Sequence, residues 1–213
     1  NPASGCSDLS PAKLVERCKN AGASGLVLTN HAVWWMKETP KEEWCTQYLK
    51  DYQNTKAAGE KLGVQVIFGF EIHFMDSDND YLVFGFEEDF IPTVYDWMDK
   101  TAKEFYETFH GEDMLMIQAH PNRNNMVEMG RDCVDGYEVF NLHPGHNSRV
   151  ALTARLHQKH GGVITGGTDF HHRDHEGGLF TCFAEMPQDE KDLVRLLRSG
   201  DYVFMTSDKV ILG

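Results

Sequence analysis

The feature that most constrains this chain is an alternation of short apolar runs with longer amphipathic ones. Residues 25–29, 64–68, 81–86, 114–119, 137–140, 163–167, 180–183 and 202–205 are apolar and of strand length, and the second run continues through Gly69 to His73. Between them, a stretch opened by Ser10-Pro11 and ended by Asn20 to Gly22, then 41–61, 92–109, 148–160 and 188–198, carry helical periodicity and helix stops. Strands that alternate with helices and are apolar throughout predict a parallel sheet buried on both faces. The acidic stretch 76–80 lacks the Gly and terminal Glu of an EF-hand loop, so it reads as a solvated hairpin turn. No repeat, low-complexity segment or composition shift divides the chain, which predicts one domain over 1–213.

The polar residues fall in a regular place. His31, Glu71, His120, Asn141 and Asp169 each follow the end of a different apolar run. In a βα barrel those ends surround one face, where active sites are built. In an open doubly wound sheet they would spread along an edge. Any one alone is a loop histidine, a surface carboxylate or a turn; five together favour a barrel around a metal centre. Gly166-Gly167-Thr168-Asp169-Phe170-His171 adds a carboxylate and an imidazole two apart. In extended backbone such a pair points to the same side, as a divalent transition metal requires.

Charge and cysteine usage limit the alternatives. The net charge of −13 opposes bulk nucleic-acid binding, which depends on Lys and Arg neutralising phosphates. It leaves a small phosphorylated substrate open, because bound cations reverse the local field. No apolar run approaches bilayer length, so no membrane partner is expected. Five scattered cysteines without a CxxC pair read as free thiols in a reducing compartment, and no secretory signal is visible, which predicts a cytoplasmic location.

With these residues assembled, the chain resembles the PHP (polymerase and histidinol phosphatase) family. The matching stretches are Leu28-Thr29-Asn30-His31, Gly69-Phe70-Glu71-Ile72, Ala119-His120-Pro121-Asn122-Arg123, Glu138-Val139-Phe140-Asn141 and Gly167-Thr168-Asp169-Phe170-His171. The resemblance implies a distorted (β/α)7 TIM-like barrel with two or three divalent ions of zinc, manganese or iron. It further implies that Glu71 bridges two ions, Asp169 ligates the first, His120 the second, and His31 and His171 the third. Asp169 and His171 would then act in catalysis through bound metals. The implied reaction is hydrolysis of a phosphate ester by a metal-activated water. The family opens on a strand with His-x-His; those ligands are expected immediately upstream of Asn1. Asn30 stands where many members carry Asp, and Asp80 where members often place a histidine, which makes Asp80 a further candidate ligand.

Arg123 is the best phosphate-binding candidate, since guanidinium grips phosphate in a bidentate way, and Asn141 is a second substrate-binding candidate. Arg149 and Arg173 are weaker, and His143, His146, His172 and His175 read as solvated loop residues. Trp34 and Trp35 read as core packing, with a pocket rim as the alternative. Two readings compete with a phosphoesterase: a degenerate PHP-like binding or scaffold module, and a metal-dependent hydrolase of a non-phosphate ester or amide.

Overall fold

The first two strands set the frame. β1 (Gly25–Val33) runs parallel to β2 (Gln65–His73), joined through a 3₁₀ turn (Trp34–Glu38) and α2 (Lys41–Leu62). A computed structural model describes residues 2–145, 148–172, 175, 178–206 and 209–211. β3 (Asp80–Phe84) returns antiparallel beside β2, and β4 (Leu115–Gln118) lies antiparallel to β3. β5 (Gly136–Asn141) and β6 (Val163–Gly167) then follow in parallel. The six form one curled sheet in the order β1-β2-β3-β4-β5-β6, a half-barrel. β7 (Leu179–Phe183), β8 (Tyr202–Thr206) and β9 (Lys209–Ile211) make a separate antiparallel sheet. The fold is mixed α/β.

Two expectations are corrected here. The sheet is mixed rather than parallel, because 76–80 is a hairpin turn that leaves no room for a crossover helix. The barrel is open, since β1 and β6 end the six-stranded sheet without pairing to each other. A cavity of about 560 Å³ occupies the opening and is bordered by consecutive residues of β1, Gly25 to His31, and of β7, Leu179 to Phe183. Alternate residues of a strand face opposite sides, so consecutive lining residues mean that a strand edge, not a face, meets the cavity.

Period-two alternation divides the strands between two cores. Phe68, Phe70 and Ile72 of β2 face outward and are buried with Tyr48 and Tyr52 of α2 and Phe105. Ile67 faces inward with Phe84, Leu115 and Ile117, under Leu193, Val194 and Leu197 of α6 (Glu190–Ser199). By the same alternation Glu71 shares the inward face with Ile67. The predicted helix 92–109 is two helices, α3 (Ile91–Trp97) and α4 (Ala102–Phe109). A capping box starts the second: Thr101 Oγ1 accepts the Glu104 N–H at 3.2 Å, and the Glu104 carboxylate accepts the Thr101 N–H at 3.1 Å. The other helices, α1 (Pro11–Ala21) and α5 (Val150–His160), lie close to their predicted spans.

Candidate metal centre

Strand register brings the first ligands together. His31 of β1 is the partner of Glu71 of β2, and His73 of β2 is the partner of Asp80 of β3. An antiparallel strand begins at the sheet edge where its parallel neighbours end, so Asp80 joins that edge from the start of β3. Glu71 is buried, and its two oxygens face different histidines: Oε2 lies 3.6 Å from His31 Nε2 and Oε1 3.3 Å from His120 Nε2. His120 Nε2 is also 3.7 Å from Asp80 Oδ2. One donor atom from each of Glu71, Asp80 and His120 lies within 4.8 Å of the others, and all three residues are buried. Asp80 is oriented by neighbours on both oxygens, with His73 Nδ1 2.8 Å from Oδ1 and Arg123 donating to Oδ2 at 3.0 Å.

The second half is built from β5 itself and from the turns after β4 and β6. The His120 N–H donates to Glu138 Oε2 at 2.9 Å, and the Asn141 amide donates to Glu138 Oε2 at 3.0 Å and to Asp169 Oδ2 at 3.1 Å. Asp169 has φ +50°, a left-handed conformation that a residue other than glycine adopts at a cost of about 1–3 kcal/mol. That reversal follows the two glycines ending β6 and turns its carboxylate towards the sheet edge. His171 Nδ1 is 2.9 Å from the Asp169 carbonyl. A carbonyl only accepts, so Nδ1 is the donor there and Nε2 is the nitrogen left to face a metal, the arrangement of a metal-ligating histidine. The His31 and His171 rings are 5.7 Å apart.

Burial dominates the electrostatics. It pushes Glu71 up to about 8 against the lowering charge of His31, with Asp80 and Asp169 adding to the rise. It pushes Glu138 up to about 7, opposed by His120. Asp80 is also pushed up by burial, but the His73 hydrogen bond and the charge of His120 outweigh it and hold the carboxyl below its ordinary value. Buried carboxylates forced together with imidazoles are a donor set that a divalent cation satisfies. The residues therefore fit the expected metal group.

The structure brings His31, Glu71, Asp80, His120, Asn141, Asp169 and His171 to one sheet edge and sets Arg123 against Asp80. His31 and Glu71 lie within their strands rather than past them, because β1 and β2 run on to Val33 and His73. Two solvated-loop assignments are corrected. His175 is buried, and the His143 ring stacks edge-on at 5.1 Å to His171 and 4.7 Å to His175. Trp34 and Trp35 are exposed, 40% and 49%, rather than core residues, and Trp35 lies 5.3 Å from the His73 ring. His172 is half exposed as expected, and Arg149 donates to the Asn122 carbonyl and to Asn124 Oδ1. His146 and Arg173 lie outside the described residues. The sequence reading missed His73, Glu138 and Cys6; the lone acid inside Gly136-Tyr137-Glu138-Val139-Phe140 was a usable signal for one of them.

No family model matches the sequence, and no curated protein matches it. Solved structures share the fold. A candidate metal-dependent phosphoesterase from Bifidobacterium adolescentis aligns with TM-score 0.50 and 14% identity over 90% of this chain and 91% of its own. An amidohydrolase from Chromobacterium violaceum, with bound sulfate and no metal, aligns with TM-score 0.50 and 14% identity over 79% of this chain and 84% of its own. At that identity the likeness shows the fold alone, and the chemistry has to be argued from the site.

Proposed function

We propose that this protein is a metal-dependent hydrolase of the PHP type that cleaves phosphate esters of a small metabolite or nucleotide. The observation that carries the reading is Glu71, a buried carboxylate with a different histidine facing each oxygen. In this reading Glu71, Asp80, His120 and Asp169 would hold two cations, and His31 and His171 would hold a third. The cations would be zinc, manganese or iron. A divalent cation supplies a water of lowered pKa and neutralises charge on the phosphoryl oxygens. Arg123, steered by Asp80, orients the anionic group. The two amide hydrogens of Asn141 are committed to Glu138 and Asp169, so its role is to place Asp169.

The test is a substrate panel on the protein, stripped with chelator and reloaded with zinc, manganese or iron(II). Phosphate mono- and diesters should turn over only with metal, and acyl esters and amides should not. Glu71→Gln should lower turnover on the order of 10³-fold, because the cation's charge stabilisation is worth several kcal/mol. Turnover of the acylated compounds alone would replace this reading with the amide or ester one.

A further inference from the structure

One donor at the sheet edge is not used by the reading above. Cys6 follows the opening 3₁₀ turn (Pro2–Ser4), and the segment around it is tied down on both sides. Before it, Ser4 Oγ accepts the His31 N–H at 3.0 Å and donates to Asn30 Oδ1 at 3.4 Å. After it, the Asp8 N–H donates to the His171 carbonyl at 3.1 Å. Gly5, with φ +70°, supplies the reversal that lets so short a segment reach both anchors. Cys6 is thereby carried from the residue that contacts His31 to the residue that contacts His171. One donor atom from each of Cys6, His31 and His171 lies within 4.8 Å of the others. His171 Nδ1 is engaged by the Asp169 carbonyl, which leaves its Nε2 as the ligating atom. Cys18 and Cys182 border the same cavity, but neither belongs to such a donor group among the described residues.

We propose that Cys6, His31 and His171 form a thiolate and bis-imidazole cation site beside the carboxylate set of Glu71, Asp80 and His120. The proposal rests on the metal-centre reading and adds what the resemblance did not supply, a sulfur ligand and with it a selectivity. A thiolate favours zinc, iron or cobalt, whereas carboxylate and carbonyl sites suit magnesium and manganese. Three protein ligands leave the fourth tetrahedral position open to solvent or substrate. The third ion is therefore thiophilic, and the protein distinguishes its ions by position: a soft one against the loop of Cys6 and His171, a harder one between Glu71 and Asp80.

Cobalt titration of the metal-free, full-length protein tests this. A sulfur-to-cobalt charge-transfer band in the near ultraviolet should saturate at one cobalt per chain, vanish in Cys6→Ser and persist in Cys182→Ser. Cobalt bound without that band, or a band that survives Cys6→Ser, overturns the thiolate site and leaves the carboxylate centre standing. Failure to bind any cobalt overturns both. A measurement on the unmutated protein guards against a misfolded variant: alkylation of Cys6, read by peptide mass spectrometry, should slow about tenfold or more with zinc and not with manganese, because the free thiolate is the nucleophile. An alkylation rate unchanged by zinc is a second refutation.

Discussion

His73 shows how a residue outside the donor set governs one inside it. Its Nδ1 lies 2.8 Å from Asp80 Oδ1, and Arg123 takes the other oxygen, so the Asp80 carboxylate has one orientation towards His120. Removing an orienting partner of this kind costs about 10–100-fold in metal affinity. His73→Ala should therefore weaken manganese or zinc binding by that factor in isothermal titration, with the fold intact by circular dichroism; wild-type affinity would show that Asp80 is not a ligand. The same pair marks what sequence could carry. His31, Glu71, His120, Asp169 and His171 were legible because each follows or ends an apolar run, a one-dimensional pattern. His73 was not, because its meaning depends on the antiparallel register that sets it opposite Asp80. Glu138 was signalled as the lone acid of an apolar run, but its place in the centre depends on the pairing of β5 with β6, whose register shifts between Glu138 and Phe140. Cys6 needed a long-range contact, Ser4 with His31, that no local spacing encodes.

At the scale of elements, apolar runs gave strand positions well and strand direction poorly. β3 is nearly as buried as a parallel strand because Tyr81 and Val83 pack into one core and Leu82 and Phe84 into the other, so burial pattern alone could not distinguish a hairpin from a crossover. The split between α3 and α4 is legible in the sequence, since Thr101-Ala102-Lys103-Glu104 has the spacing of a capping box. Thr101→Ala should cost about 1 kcal/mol in urea unfolding. Phe105, fully buried one turn later, packs against Phe70, Phe74, Phe90, Trp97 and Phe109. Phe70 precedes Glu71 and Phe74 follows His73, so this aromatic cluster backs the strand that carries the centre. Phe105→Ala should cost about 3–5 kcal/mol in the same experiment. A loss below about 1 kcal/mol would mean that the cluster collapses to fill the space.

Across the whole molecule, the centre sets a pH dependence of stability that metal should invert. Glu71 and Glu138 are raised in the folded state to about 8 and about 7, from an ordinary value of 4.5. A carboxyl raised by folding stabilises the fold fully below its unfolded pKa, and that contribution is lost as pH climbs through the folded value. Asp80 works in the opposite sense: held below its ordinary 3.8, it contributes above that value and loses its contribution only in acid. The raised thiols Cys18 and Cys133, at about 11 and about 12, change charge only in stronger base. Between about pH 5 and pH 8.5 the two glutamates therefore dominate, and the metal-free protein should lose thermal stability across that interval. A cation binds the deprotonated carboxylates, so its affinity and the stability it confers rise with pH over the same range. Thermal unfolding at about pH 5, 7 and 8.5, with chelator and with zinc or manganese, reads both slopes. The expected result is a melting temperature that falls with pH in chelator and a metal-induced increase that is largest at the alkaline end. A chelated protein that gains stability from pH 5 to 8.5 would show that Glu71 and Glu138 are charged in the fold without metal, and the cation would then no longer be what the buried acids require.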